Sequence, residues 1–235
     1  MFPQGNRDAV RSLFAPSARQ QAADLEAQLD QLFSVYAGPA DAIGWDGLCA
    51  MEGNYDHGKH RKTASSNFPV RSGDTYYWCY LRLLYENTLD DGGTGILQLD
   101  FYTAAERCAF EYSEGKIVDH PGLTVHADAA QEGEIRCISG HPYLYTPSAE
   151  PLAPEAVKSF LETCASFYSF QKQFGAPNAE NIFHYYQLPA ENGEPRYLQL
   201  SVHQDAICSA TVVNEFEYLQ TLWSNSDENE KNKAS

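Results

Sequence analysis

Two histidines and a carboxylate stand together in Asp56-His57-Gly58-Lys59-His60. A divalent ion there would need neutral imidazoles and a third or fourth ligand. Lys59, Arg61 and Lys62 crowd the same stretch with charge that opposes a divalent cation, so it reads as a solvated loop and no metal site is assigned. The six cysteines, Cys49, Cys79, Cys108, Cys137, Cys164 and Cys208, contain no C-x-x-C pair, and their spacing fits no zinc ribbon or finger. Most sit among apolar neighbours, as in Trp78-Cys79-Tyr80, where a free thiol behaves as a small hydrophobe. One or two disulfides are the alternative. A cysteine nucleophile needs a thiolate in an electropositive site, and none is legible. Asp90-Asp91 runs into Gly92-Gly93 and reads as a turn. Gln98 and Asp100 share one face of a strand whose other face is Leu97, Leu99 and Phe101, so solvent is the expected environment of the carboxylate. The sequence holds no G-x-S-x-G, no glycine-rich phosphate loop and no H-E-x-x-H. No catalytic residue and no cofactor is assigned.

One row of side chains does not fit an ordinary half-wet strand. In residues 74–86 the alternation puts Cys79, Leu81, Leu83 and Tyr85 on one face and Tyr76, Trp78, Tyr80 and Arg82 on the other. Three large aromatics in a row on open water would make an apolar patch that monomers rarely carry. Core, ligand groove and a domain or partner interface are the three readings. Tyr and Trp suit a groove because they bury area and keep a polar tip. Tyr76, Trp78, Tyr80 and Arg82 are therefore the candidate ligand-binding residues. Their face is expected to look toward a helix-covered cavity or cleft. The helix of Leu25, Leu29, Leu32 and Phe33 is the nearest cover in sequence, and Arg82 is expected at the rim, in water or paired to an acid.

The elements that would hold this row follow from periodicity. A short helix is expected over 6–14 with Asn6 as its cap, ended by Pro16. A second helix starts at Ser17, with Gln20 completing a capping box, and runs to Tyr36 before Gly38-Pro39. Strand text follows at 43–52, 74–86 and 94–102, with a loop or exposed hairpin at 53–67. Residues 112–134, punctuated by Gly115, Pro121, Gly122 and Gly133, read as a linker or long connection. A strand at 135–145, a helix from Pro154 to Phe174, strands at 182–188, 196–203 and 206–213, and a closing helix from Glu215 to Trp223 complete the chain. Asn192-Gly193 marks a hairpin. The expected fold is α+β, with helix-plus-antiparallel-sheet domains at 6–112 and 135–224 and a disordered tail at 225–235.

The 235 residues carry a formal net charge of −16. Both halves are acidic, with 10 basic and 16 acidic residues in 1–117 and 6 and 16 in 118–235. That balance argues against nucleic acid, whose binding rests on Lys and Arg neutralising phosphates. No apolar run approaches the ~18 residues of a transmembrane helix. Aromatics at 13% argue for a folded body. The start, Met1-Phe2-Pro3-Gln4-Gly5, has neither the basic nor the apolar region of a signal peptide.

The segment Arg7-Asp8-Ala9-Val10-Arg11-Ser12-Leu13-Phe14-Ala15, then Asp24-Leu25-Glu26-Ala27-Gln28-Leu29 through Leu32-Phe33 to Gly38, resembles the opening of a domain of unknown function found in uncharacterised bacterial lipoproteins. Tyr76-Tyr77-Trp78, Glu86-Asn87 and Gly95-Ile96-Leu97-Gln98-Leu99 resemble its central strands, and the likeness covers residues 6–103. It implies a cone-shaped α+β fold like that of the cystatin and nuclear-transport-factor superfamily, together with export and a lipid anchor absent from this chain. A cytoplasmic setting is the alternative if Met1 is the true start. The first functional expectation is a non-catalytic binding or structural protein of the bacterial envelope, with an unknown protein or small ligand as partner. An acidic inhibitor or immunity-type protein for a basic partner is the second, since net charge steers association. An enzyme or small-ligand binder with a pocket on the first sheet is the third.

Overall fold

The computed structural model describes residues 6–44, 49–90, 93–112, 119–131, 133–148 and 150–225. The chain divides into two compact units, Met1–Glu132 with Gly140–Pro142, and Gly133–Ser139 with Tyr143–Ser235. The fold is mixed α+β.

The first unit opens on three short helices, α1 (Arg7–Ser12), α2 (Pro16–Gln21) and α3 (Leu25–Val35). The Asn6 side chain accepts from the Ala9 backbone N–H at 2.9 Å and caps α1. The expected single helix from Ser17 to Tyr36 is two helices. Pro16 takes the first turn of α2, where its missing N–H costs nothing, and Ser17 lies inside the helix rather than capping it. Ala22 turns to extended geometry and ends α2. Leu25, Leu29 and Leu32 are the buried stripe of α3.

Strands β1 (Ala42–Ile43), β2 (Cys49–Asp56), β3 (Lys59–Ser72), β4 (Thr75–Asn87) and β5 (Gly95–Thr103) follow, then α4 (Ala104–Tyr112) and β6 (Gly122–His126). They form one sheet in the order β1-β3-β4-β5-β6, with β2 paired to β3. The 53–67 segment is the tip of the β2–β3 hairpin, turning at His57 and Gly58, both with positive φ. The stretch read as a linker holds β6, which pairs parallel to β5, Leu99 opposite Leu123 and Phe101 opposite Val125. A parallel pair needs a crossover of a dozen or more residues, and α4, which no expected element covers, lies within it.

One face of this sheet packs on α1 and α3. Tyr77, Cys79, Leu99, Phe101, Leu123 and Val125 meet Val10, Phe14, Leu25, Leu29 and Leu32 in one cluster. Two polar ties fix the packing. The Tyr77 hydroxyl donates to Val35 O at 2.9 Å and accepts from Ala37 N at 2.8 Å. Gln28 Oε1 accepts from Val125 N at 2.7 Å, joining α3 to the outermost strand.

The second unit holds β7 (Glu134–Ile138), the larger part of β8 (His141–Tyr145), α5 (Pro154–Leu161), α6 (Phe167–Phe174), β9 (Ala179–Glu180), β10 (His184–Glu191), β11 (Glu194–His203), β12 (Ala206–Val213) and β13 (Tyr218–Ser224). Its antiparallel sheet runs β13-β12-β11-β10-β9. The expected long helix breaks after Leu161, because Ala165 O accepts from Ile207 N and Phe167 N donates to Asp205 O, which ties the break to the start of β12. Ser166 then caps α6. The expected closing helix is strand β13, because its backbone completes the edge of the sheet beside β12. Asn192 and Gly193 turn the β10–β11 hairpin with φ of 54° and 84°. Helices α5 and α6 pack on Tyr186, Leu188, Leu198 and Leu200, while Tyr143, Tyr145, Tyr185 and Tyr197 form a second cluster. Asn225 N reaches Cys208 O at 3.0 Å, and the rest of the expected tail, 226–235, lies outside the described residues.

Gly95 sets how closely α1 and α2 meet the sheet. Its φ is +137°, and a Cβ there would stand 2.7 Å from both Ala15 N and Leu13 O. Those two groups bond Ile96, as Ala15 N→Ile96 O and Ile96 N→Leu13 O. Gly95→Ala is expected to cost the first unit about 1–3 kcal/mol, seen as a lower urea midpoint. An unchanged midpoint would show that the segment yields freely.

Candidate functional site

On β4 the alternation holds, and Tyr76, Trp78, Tyr80 and Arg82 share the sheet face away from Cys79 and Tyr77. The helix expected to cover them does not. Helix α3 lies against the Tyr77 and Cys79 face, and the aromatic end of the row is covered by α4 instead. Trp78 is 1% exposed. Its ring meets Tyr102 edge-on, centroids 5.5 Å apart, and the Arg107 guanidinium of α4 stands 4.2 Å from the ring centroid. The indole N–H finds no acceptor among the described residues. Tyr76, Tyr80 and Arg82 are half-buried. Arg82 pairs with Glu52 at 3.1 Å and with Asp119 at 3.3 Å.

The same face carries a polar cluster. Cross-strand register sets Tyr80 opposite Asp100 and Arg82 opposite Gln98 on β5, and Asp100 opposite Thr124 and Tyr102 opposite His126 on β6. The expectation of a solvated Asp100 is overturned, since it is 3% exposed and Gln98 1%. A carboxylate so placed must be hydrogen-bonded. Gln98 Nε2 donates to its Oδ2 at 2.7 Å. His120 Nε2 and His126 Nε2 both reach its Oδ1, at 3.0 and 3.2 Å. The His126 ring stacks on Tyr102 with centroids 4.0 Å apart. Backbone His120 N donates to Gln98 Oε1 at 3.4 Å.

A carboxylate accepts only, so both imidazoles carry their proton on Nε2, and each Nδ1 is left with its lone pair when the ring is neutral. Burial alone would raise the Asp100 pKa, but the His120, His126 and Gln98 hydrogen bonds outweigh it and hold the carboxyl below its usual range. The hydrogen bond to Asp100 raises the His120 pKa despite burial. Burial and the Asp100 charge push the Tyr102 phenol up to about 12, so it stays neutral. The arrangement therefore holds a proton at His120 more firmly than a free imidazole would, with Asp100 orienting the ring.

Two adjoining cavities of about 340 and 400 Å³ open at the Arg82 end of the face. Arg61, Arg82 and Leu97 line both, and Gln98, His120 and Ser17 line the first. Volumes of this order suit a small molecule. Arg61 projects from β3, and among the described residues its guanidinium has no ion pair or side-chain hydrogen bond. Of the expected site row, only Arg82 lines the cavities.

His57 and His60 do not converge, because His57 points into solvent beside Asp56 while His60 bonds Glu86 across the hairpin. Among the described residues no group of three His, Cys, Asp or Glu side chains is placed to hold a metal ion. At Asp100 both imidazoles address one carboxylate oxygen rather than a shared point between them. Cys79, Cys108, Cys137, Cys164 and Cys208 are free thiols, and burial pushes the Cys79 thiol up, away from thiolate chemistry. The Cys49 side chain, Asp91, Gly92 and residues 1–5 lie outside the described residues.

Residues 1–104 match the family described as Domain of unknown function (DUF5104), so the first part of the chain is similar to that domain. The likeness read over residues 6–103 falls within this match. No curated protein and no solved structure matches the chain. Among the described residues no helix is long and apolar enough to cross a membrane.

Two outcomes are expected. Trp78→Ala empties a fully buried site and is expected to cost about 3–5 kcal/mol; a urea midpoint within error of wild type would mean that the ring is not core. The Asp100–His120 pair should also make stability depend on pH. A raised folded pKa gives His120 a contribution that is full below its unfolded value near 6.5 and is lost as pH rises through the folded value. The lowered value of Asp100 gives a contribution that is present above about 3.8 and is lost as pH falls. The urea midpoint should therefore fall as pH rises above about 6.5, and Asp100→Asn should flatten that slope. Equal slopes in the two proteins would contradict the pairing.

Proposed function

We propose that the protein is a binding protein whose first unit holds a small molecule on the sheet face opposite α1 and α3, in the cleft that α2 helps to line. The observation that carries this reading is Asp100. It is an ionised carboxylate buried in the middle of a sheet face, held by Gln98 and two imidazoles, beside the cavities lined by Arg61 and Arg82. An apolar side chain at such a position is often as stable or more so, and perturbed titratable groups beside a cavity gather at functional sites. Half-used polar groups on the same face, the Trp78 indole N–H and Asn67 Oδ1, add to this support.

An envelope setting and a lipid anchor belong to the proposal through the resemblance of residues 6–103 alone. The cone-shaped, cystatin-like description is supported by the long β2–β5 antiparallel meander with helices across one face. Separate hydrophobic clusters in the two units support two domains.

The test is a ligand-observed NMR screen of a small-molecule library against the full chain and against Ser17→Phe, which puts a ring into the cavity wall. Hits should compete with one another and vanish in the variant, with circular dichroism unchanged. A screen without hits, or hits indifferent to Ser17→Phe, would refute the reading.

A further inference from the structure

We propose that the ligand of this cleft is a small organic anion, whose carboxylate or phosphate group is received by Arg61 and by the Nδ1 edge of His120. The inference rests on the small-ligand reading above and adds the ligand's charge and its link to protons.

Arg61 is the first ground. In a chain with 32 acidic and 16 basic residues, a cleft cation would be expected to find an acid within the fold. The neighbouring cations of this face do so or are otherwise engaged. Arg82 holds Glu52 and Asp119, and Arg107 lies over Trp78. Arg61 lines both cavities and has no acid partner among the described residues. A half-buried guanidinium in a cleft is a fork that fits a carboxylate or phosphate with two parallel hydrogen bonds.

His120 is the second. Its Nε2 is committed to Asp100, and Thr124 Oγ1 lies 3.1 Å from the same nitrogen. Its Nδ1 has only long neighbours, Pro121 O and Thr124 Oγ1, both at 3.5 Å. The side chain is 27% exposed and lines the first cavity. When the ring is protonated, Nδ1–H becomes a donor whose acceptors among the described residues both stand at 3.5 Å. An arriving anion supplies a closer one and stabilises the imidazolium, so binding draws in a proton. The charged groups around the ring are Asp100 on β5, Asp24 before α3, Asp119 beside it in sequence, and Arg82 on β4 across the cavity wall. The acids of the cavity wall are occupied, Asp119 by Arg82 and Asp90 by the Asn87 amide, which limits their repulsion of an anion. Ser17 lines the same wall.

The experiment uses the full chain and two probes at constant ionic strength, inorganic sulfate and succinate, which separate tetrahedral from carboxylate recognition. Binding is followed by NMR shifts and calorimetry at pH 6.5 and 8.5. Saturable binding of at least one probe is expected, several-fold tighter at the lower pH. Arg61→Gln should weaken it about tenfold, the loss of one charge-assisted contact. Lys59→Gln, which removes an exposed cation from the same hairpin, should leave it unchanged. His120→Gln should abolish the pH dependence. Binding of neither anion, binding indifferent to Arg61→Gln, or equal losses in Arg61→Gln and Lys59→Gln would overturn the proposal. A neutral library compound held equally by wild type and Arg61→Gln, yet lost in Ser17→Phe, would overturn it while leaving the small-ligand reading standing.

Discussion

A carboxylate shut inside a sheet face has to be neutralised or satisfied where it stands, because transferring the charge out of water is costly. Asp100 meets that demand with three side-chain donors, and the demand explains much of the first unit. Gln98 comes from two residues earlier on the same strand. The imidazoles must come from outside β5, and β6 is the strand that delivers them. His126 faces Tyr102 across the parallel pair, and His120 stands just before the strand begins. The segment 119–126 is held there by a different set of contacts. Leu123 and Val125 enter the helix-side core, and Gln28 Oε1 takes the Val125 N–H. One short strand thus joins the hydrophobic face to the polar one.

Strand β4 shows the same division at its own centre. Both of its faces are covered, but by unlike means. On one, Tyr77 and Cys79 join an apolar core and the Tyr77 hydroxyl locks the end of α3. On the other, cover changes along the strand, from α4 over Trp78 to an open cleft at Arg82. The long antiparallel ladder to β3, from Ser72 opposite Thr75 to Arg61 opposite Asn87, keeps that second face continuous. This continuity lets a guanidinium from β3 and an imidazole from beside β6 line one cavity.

Much of this was written in local pattern. The cap at Asn6, the stripe Leu25-Leu29-Leu32, the aromatic strand, the alternation of 94–102 and the Asn192-Gly193 turn are all signals that span a few residues, and each agrees with its surroundings. The failures share a different cause. Periodicity runs on across two breaks, one at Ala22, where the backbone turns extended, and one at Ala165, where pairing with Asp205 and Ile207 enforces it. The text of β13 reads as a helix because an edge strand is defined by the neighbour it bonds. Strand β6 was hidden by Pro121 and Gly122, although Leu123 and Val125 against Thr124 and His126 carry the period of two. Alternation points Asp100 at solvent because it says which residues share a face and not what lies over that face.

The resulting site joins two properties that usually compete. A buried, fully bonded carboxylate rigidifies its surroundings, and its loss leaves partners unsatisfied. An unpaired guanidinium does the opposite, since it gives up the stability a neighbouring acid would bring and keeps its donors free. Arg61 and Asp100 are carried by the two strands that flank β4, so the rigid half can hold His120 in one orientation while the open half receives charge. In a protein of net −16 the general field repels anions at long range, and at 0.15 M salt that field fades within about 8 Å. Recognition of an anion would then depend on local groups inside the cleft, where screening by salt is weakest. An overall acidic surface and a cleft that keeps one guanidinium without an acid partner among the described residues are therefore compatible.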